Sequence, residues 1–286
     1  MKINAFWHAA CIMRIKIMNF NFRCFFRKQV TGVNKLSFTI AIATVFLCSS
    51  ASAATDSAIE CAVTADFYGK YIWRGQNISD DPVIQPAISA GYRGFTGSVW
   101  GNFETTNING NSGDFSELDY SMDYSASLLG FEGIGYSIGA IYYDFPGTTA
   151  PGTTELYGGL GLDWPLNPSL TVYRDVDEAD GTYVSLGLSH SFAKMIEVAG
   201  ISAGLDLGAS LGWGSSGYDK YYWGTSQSKL NDLTLSASLP IEAAGGWTII
   251  PSLNYVTLVS DDLRDTDTYG TASDFFFVGI GLSKSF

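Results

Sequence analysis

Four cysteines, two histidines and only 16 lysines and arginines among 286 residues leave little room for several kinds of chemistry. Cys11, Cys24 and Cys48 all precede residue 54, so Cys61 is the one cysteine expected in a processed chain, and no disulfide within that chain can brace it. His190 is the one histidine outside the first 53 residues, which argues against a clustered histidine metal site. Its same-face neighbours on an alternating segment are Leu188 and Phe192, while Ser189 and Ser191 point the other way, so no nucleophile–base pair forms around it. No glycine-rich phosphate loop or C-x-x-C pair appears. Nothing in the sequence asks for a cofactor, and no enzyme is expected. Basic residues are too scarce for a nucleic-acid partner. After residue 53 there is also no apolar run long enough to cross a bilayer as a helix.

The charge is unevenly spread. Seven of the 16 basic residues and none of the 28 acidic ones fall in residues 1–53, so the remainder carries a formal charge of −19 against −12 for the whole chain. Within that leader, Lys35 precedes an apolar run from Leu36 to Leu47 and small residues ending in Ala51-Ser52-Ala53. Basic flank, short apolar core and A-x-A site make residues 35–53 a secretory signal peptide, with cleavage expected between Ala53 and Ala54. Phe46-Leu47 before Cys48 does not match a lipoprotein signal. Residues 1–34 are either an extended n-region or precede the true start, for which Met18 and Val33 are candidates.

What is present in 54–286 is alternation. In Glu117–Leu128, Leu118, Tyr120, Met122, Tyr124, Ala126 and Leu128 share one face, and Glu117, Asp119, Ser121, Asp123, Ser125 and Ser127 the other. A wall with lipid on one side and water on the other reads this way. Segments 62–74, 201–213 and 232–239 repeat the pattern, and the reading gives about twelve strands, near 62–74, 83–93, 95–104, 117–128, 134–143, 154–163, 169–175, 182–192, 198–213, 230–239, 247–258 and 274–286. Connections after even-numbered strands are short and those after odd-numbered strands are mostly long and polar, including 105–116, 214–229 and 259–273. The fold class expected is all-β: a transmembrane antiparallel up-and-down barrel of about twelve strands in a bacterial outer membrane, with short turns in the periplasm. A soluble β-sandwich also alternates, but it would have to bury all these apolar faces in one core within about 230 residues. The final strand, with Phe276, Val278, Ile280, Leu282, Lys284 and Phe286 on one face, ends in the aromatic that outer-membrane assembly signals carry. The partners expected are outer-membrane lipid and lipopolysaccharide, with the barrel assembly machinery engaged through Phe286. The oligomeric state is not encoded in any pattern found.

Residues 62–104 resemble the start of the TorF family, outer-membrane barrels classed as porins. The shared features are Asp66, Tyr71, Arg74-Gly75, Pro82, Gln85, Gly94-Phe95, Gly97 and Trp100-Gly101, with echoes in Glu117-Leu118-Asp119, Tyr142-Tyr143 before Pro146-Gly147, and Glu155-Leu156-Tyr157. The chain departs from the pattern in reading Tyr-Ile-Trp-Arg-Gly-Gln at the first motif and in a longer second half. The resemblance implies a barrel and a pore for small hydrophilic solutes.

Inward-facing charges are the candidate lumen or constriction residues. Arg74 at the end of strand one, Glu104 at the end of strand three, Glu117 and Asp119 at the start of strand four, and Glu155 at the start of strand six are placed at the outer mouth. They form either a charge-selecting constriction or an ion-pair network that braces the wall. Lower down, Asp66, Asp123, Asp163, Asp206 and Asp232 face few basic residues beyond Lys70 and Arg93, so an open pathway is expected to prefer cations. The Asp175–Gly181 run fails the EF-hand spacing and reads as an acidic surface loop, as does the run from Asp261 to Asp267. The alternative to a pore is a non-conducting structural or receptor barrel whose long loops bind a partner.

Overall fold

The computed structural model describes residues 59–198 and 201–286. The expected leader, 1–53 with its 35–53 signal core, lies outside the described residues.

Twelve wall strands close into a cylinder. In chain order the strands are β1 (Glu60–Tyr68), β2 (Tyr71–Trp73), β3 (Gln76–Ser79), β4 (Val83–Tyr92), β5 (Phe95–Glu104), β6 (Phe115–Ser127), β7 (Ile134–Asp144), β8 (Thr153–Leu162), β9 (Ser169–Asp175), β10 (Thr182–Val198), β11 (Ile201–Gly214), β12 (Lys229–Ser238), β13 (Ile241–Ala243), β14 (Trp247–Leu258) and β15 (Asp274–Ser285). β2 and β3 pair only with each other. β12 and β13 form one wall strand interrupted at Pro240, which has no N–H to give the ladder, and both halves pair with β11 and β14. Each wall strand pairs antiparallel with its neighbour in sequence, and β1 closes the ring on β15. Closure leaves no open sheet edge, the condition for strands to cross a bilayer.

The two faces sort as the alternation requires. Met122, Ile138, Leu160, Leu253, Phe276, Val278 and Ile280 point outward and are exposed, Met122 by 62 %. Their neighbours Asp123, Ser137, Gly159, Gly161, Asn254, Phe277 and Gly279 point inward. Exposed Tyr92, Phe95, Phe131, Trp164 and Phe286 gather at one rim, as interface-anchoring aromatics do. An apolar exterior of this extent on a closed antiparallel cylinder is the exterior of an outer-membrane barrel.

That aromatic rim also carries the short turns. Arg93-Gly94 joins β4 to β5 with φ of 50° and 84°, both left-handed, as a type I′ turn needs. Both ends of the described chain meet there: the Phe286 N–H donates to the Cys61 carbonyl at 2.9 Å. Cys61, expected to stand alone once the leader is removed, is disulfide-bonded in this structure. At the opposite rim lie the long connections, two of which carry helices: α1 (Ser216–Trp223) and α2 (Asp261–Arg264). None of the described helices is long and apolar enough to cross a membrane.

One boundary differs from the sequence expectation in a way that matters. Strand one was expected to run from 62 to 74, but the wall strand β1 ends at Tyr68. The chain leaves the wall there and returns on itself as the β2–β3 hairpin. Tyr71 and Trp73 keep the apolar parity of β1, and Lys70 and Arg74 the polar one, because this hairpin also packs one face; apolar Ile72 between them breaks the alternation.

Candidate functional site

The site sits at the long-loop mouth, and the hairpin builds it. Arg74 and Gly75 form its two-residue turn, with φ of 49° and 82°. The hairpin leaves the ring between β1 and β4, yet its tip reaches the opposite side of the bore. The Arg74 guanidinium donates two parallel hydrogen bonds, 2.7 and 2.8 Å, to the two carboxylate oxygens of Glu155 on β8. A Cβ added at Gly75 would lie 2.7 Å from Leu258 on β14 and 3.0 Å from Asp232 on β12. The hairpin therefore spans the mouth from wall to wall.

Arg74 is held by more than its ion pair. Its guanidinium carbon lies 4.4 Å from the Trp73 ring centroid, 4.4 Å from Tyr173, 4.3 Å from Tyr183 and 6.0 Å from Tyr218. These distances fall in the cation–π range. The Tyr143 hydroxyl donates to Glu155 at 2.8 Å, and the Tyr183 hydroxyl to Asp232 at 2.8 Å, so two of the surrounding tyrosines are fixed by bonds to wall carboxylates. Glu155 is buried and the Arg74 side chain nearly so, which strengthens the attraction but makes either charge costly to leave alone.

Polar contacts seat the rest of the hairpin. Ser79 donates to Glu104, which is fully buried and also accepts from Asn102, Asn109 and Ser116. Tyr71 stacks against Trp100 at 5.7 Å and bonds the Glu117 carboxylate. Gln76 donates to the Tyr218 hydroxyl at 3.1 Å. Lys70 pairs with Asp80 across the hairpin base, and that hydrogen-bonded contact holds the Asp80 carboxyl below the ordinary range.

α1 closes the mouth from the other side. Ser215 caps it by accepting from the Tyr218 N–H, and Gly224 ends it in the left-handed conformation. Tyr218 and Asp219 are fully buried. Asp219 accepts from the Lys229 N–H and the Asn231 amide, both at 2.9 Å. Burial outweighs those bonds and pushes its carboxyl up to about 6. Trp223 packs on Leu258 and Leu263, with Tyr269 at its edge, so the two helix-bearing loops form a small apolar cap.

The expected site residues are thus distributed in three ways. Arg74 and Glu155 meet directly, although Arg74 comes from the hairpin tip and not, as expected, from the end of a wall strand. Glu104, Glu117 and Asp119 stand on β5 and β6 beneath the hairpin, and among the described residues Asp119 Oδ1 accepts no hydrogen bond. Lys70 lies in the hairpin connection and not, as expected, on the lower lumen wall. Asp66, Asp123 and Asp206 lie on inward faces, with Asp123 accepting from Tyr157 at 2.7 Å and from Ser125 at 2.5 Å. Asp163 instead falls in the exposed β8–β9 turn, one residue beyond the strand. In the expected acidic loop, Asp175 is buried and caps it, accepting from Thr153 and from the N–H groups of Asp177 and Ala179.

Tyr173, Tyr183, Tyr218 and the whole of α1 were not singled out from sequence. The available signals were the Arg-Gly pair between two short apolar-polar stretches and the Ser215 and Gly224 caps. Below the hairpin, small polar residues line the inner wall along β6–β9. A cavity of about 510 Å³ lies along β6–β9, lined by Ser125, Ser127, Ser137, Gly159, Ser169 and Thr171 among others. His190, turned to the outer face, packs edge-on against Phe192 at 4.5 Å.

No protein-family model matches the chain and no curated protein matches it, so the TorF resemblance has no family match beside it. Among solved structures, the chain is similar to the NanC porin at 13 % identity, covering 78 % of this chain and 98 % of that one with a TM-score of 0.47. It is similar to the KdgM porin, solved in complex with disordered oligogalacturonate, at 10 % identity, 79 % and 99 % coverage and a TM-score of 0.46. A Salmonella typhi OmpF complex with daunomycin follows at 9 % identity, 80 % and 97 % coverage and 0.37.

Proposed function

We propose that the chain is a porin-like barrel through which small hydrophilic solutes diffuse, with cations preferred and the β2–β3 hairpin restricting the outer mouth. The observation that supports this reading best is the inner wall itself. It carries Asp66, Asp123, Asp206 and Asp232, is lined by serine, threonine and glycine along β6–β9, and keeps the Arg74 guanidinium engaged with Glu155. A solute passing such a wall meets a negative potential, which raises the local concentration of cations. On this reading the barrel supplies a path and performs no reaction. Its partners are membrane lipid, lipopolysaccharide and, during insertion, the assembly machinery that recognises the Phe286 end.

The hairpin favours a second reading, a non-conducting structural or receptor barrel, because it crosses the full bore. One experiment separates the two. Purified barrel is placed in a planar bilayer under a salt gradient, beside a variant in which residues 70–81 are replaced by a short Gly-Ser turn. The pore reading expects small currents from the intact chain, several-fold larger ones from the variant, and a reversal potential of cation sign in both. Silence from both proteins, or anion preference, overturns it.

A further inference from the structure

The aromatic enclosure around Arg74 has the makings of a binding site that the chain's own side chain occupies. Three features support this. Much of the enclosure stands without the hairpin: Glu155 and Tyr143 hold each other, Tyr183 is anchored on Asp232, and Tyr173 packs on Tyr157, which is anchored on Asp123. Tyr218 comes from α1, whose position is set by Asp219 with Asn231 and the Lys229 N–H. The recognising groups are therefore pre-organised by the wall and the α1 loop, and only Trp73 leaves if the hairpin swings out.

The second feature is stereochemical. Glu155 presents both carboxylate oxygens to two parallel N–H donors, an arrangement that matches a planar guanidinium or amidinium edge. Third, ring centroids of Tyr173 and Tyr183 at 4.4 and 4.3 Å supply faces that favour a delocalised, weakly hydrated cation. Glu155 and Asp232 make the same enclosure hostile to anions.

We infer that the Glu155, Tyr143, Tyr173, Tyr183 and Tyr218 enclosure is a subsite for organic cations of the guanidinium class, masked in this structure by Arg74 acting as a tethered ligand. This rests on the cation-preferring reading above and narrows it to a solute class. Tethering gives Arg74 an effective concentration on the order of millimolar, so free cations compete poorly until the hairpin is displaced or Arg74 is removed.

The test uses N-ethylguanidinium, which reproduces the end of an arginine side chain, titrated calorimetrically into detergent-solubilised full barrel. Binding read this way needs no current, so a barrel that binds without conducting, or conducts without binding, is recognised as such. Arg74→Ala is expected to take up one equivalent per chain. The wild-type barrel and the Arg74→Ala/Glu155→Gln variant should bind at least about tenfold more weakly, the loss expected with a charge-assisted hydrogen bond. Should Arg74→Ala not fold alone, it is refolded with N-ethylguanidinium or an equal concentration of sodium chloride, and recovery of heat-modifiable folded barrel only with the guanidinium supports the site. Equal binding with and without the Glu155 carboxylate, no binding to Arg74→Ala, or equal rescue by sodium chloride overturns it.

Discussion

At the scale of single residues, the Arg74–Glu155 pair carries an asymmetry that can be measured. Removing one partner of a buried ion pair leaves the other charge dry and alone, which costs about 3–5 kcal/mol, whereas removing both is far milder. Arg74→Ala is expected to destabilise hairpin docking by that amount, and Arg74→Ala/Glu155→Ala by clearly less. Hydrogen exchange of the amides in 71–79 reads both. Equal effects in the single and double variants would show that the aromatic rings, and not the charge pair, hold the tip. Gly75 adds a steric version of the same test. Its left-handed φ and the 2.7 Å approach to Leu258 leave no room for a methyl group, so Gly75→Ala should loosen the tip without removing any charge. Asp219 gives a pH dependence of definite sign. Its carboxyl lies near 6 when docked, against 3.8 ordinarily, so the docked state binds a proton that the undocked state releases. The penalty is full above pH 6, is relieved as pH falls through 6, and is gone below about 4. Protection of amides 216–223, corrected for intrinsic exchange, is therefore expected to rise between pH 7.5 and pH 5 in the wild type and to stay flat in Asp219→Asn.

Elements were legible from sequence to the degree that their pattern is local. β4 to β9 fall within two residues of where alternation places them, because lipid on one face and water on the other impose period two on every wall strand. Strand one was overrun for the same reason: Tyr71 and Trp73 keep the apolar parity of β1, but they face Trp100, Tyr143 and Tyr222 inside the mouth. Nothing in a one-dimensional pattern distinguishes lipid from aromatic side chains as the apolar partner. α1 was hidden by its brevity and mixed polarity; eight residues within a polar loop give no helical period, and only its caps mark it. The candidate site followed the same division. Glu155, Glu104, Glu117 and Asp119 could be placed because strand parity fixes which way they point. Tyr71, Ser79 and Tyr218 could not, and Arg74, expected at the same mouth, was assigned to a wall strand, since all four arrive from loops whose fold is decided by long-range contacts. The consequence for function lies at this scale as well: a twelve-strand bore falls between those that side chains fill and those that leave a channel, and here two folded loops decide how much of it stays open.

For the molecule as a whole, the claim that lipid wets the outside and water the inside can be tested by one side chain at a time. Ile138 and Ser137 are neighbours on β7, yet Ile138 is exposed on the outer face while Ser137 lines the inner cavity. Arginine at a lipid-facing position near the bilayer midplane costs about 2–4 kcal/mol, because its charge has no water or partner within reach. Ile138→Arg is therefore expected to lower the folding free energy into vesicles by that amount. Ser137→Arg faces a lumen with Asp123 and other carboxylates nearby and should change folding by much less. If the barrel conducts as proposed, the second variant should also shift the reversal potential toward anions, since it adds a cation to the inner wall, and Ile138→Arg should leave selectivity where it was. A soluble sandwich, with the apolar face as buried core and the serine face in water, would give the same order for folding, so the folding penalty must be read together with the reversal potential: only around a water-filled lumen does the milder substitution, Ser137→Arg, also change ion selectivity.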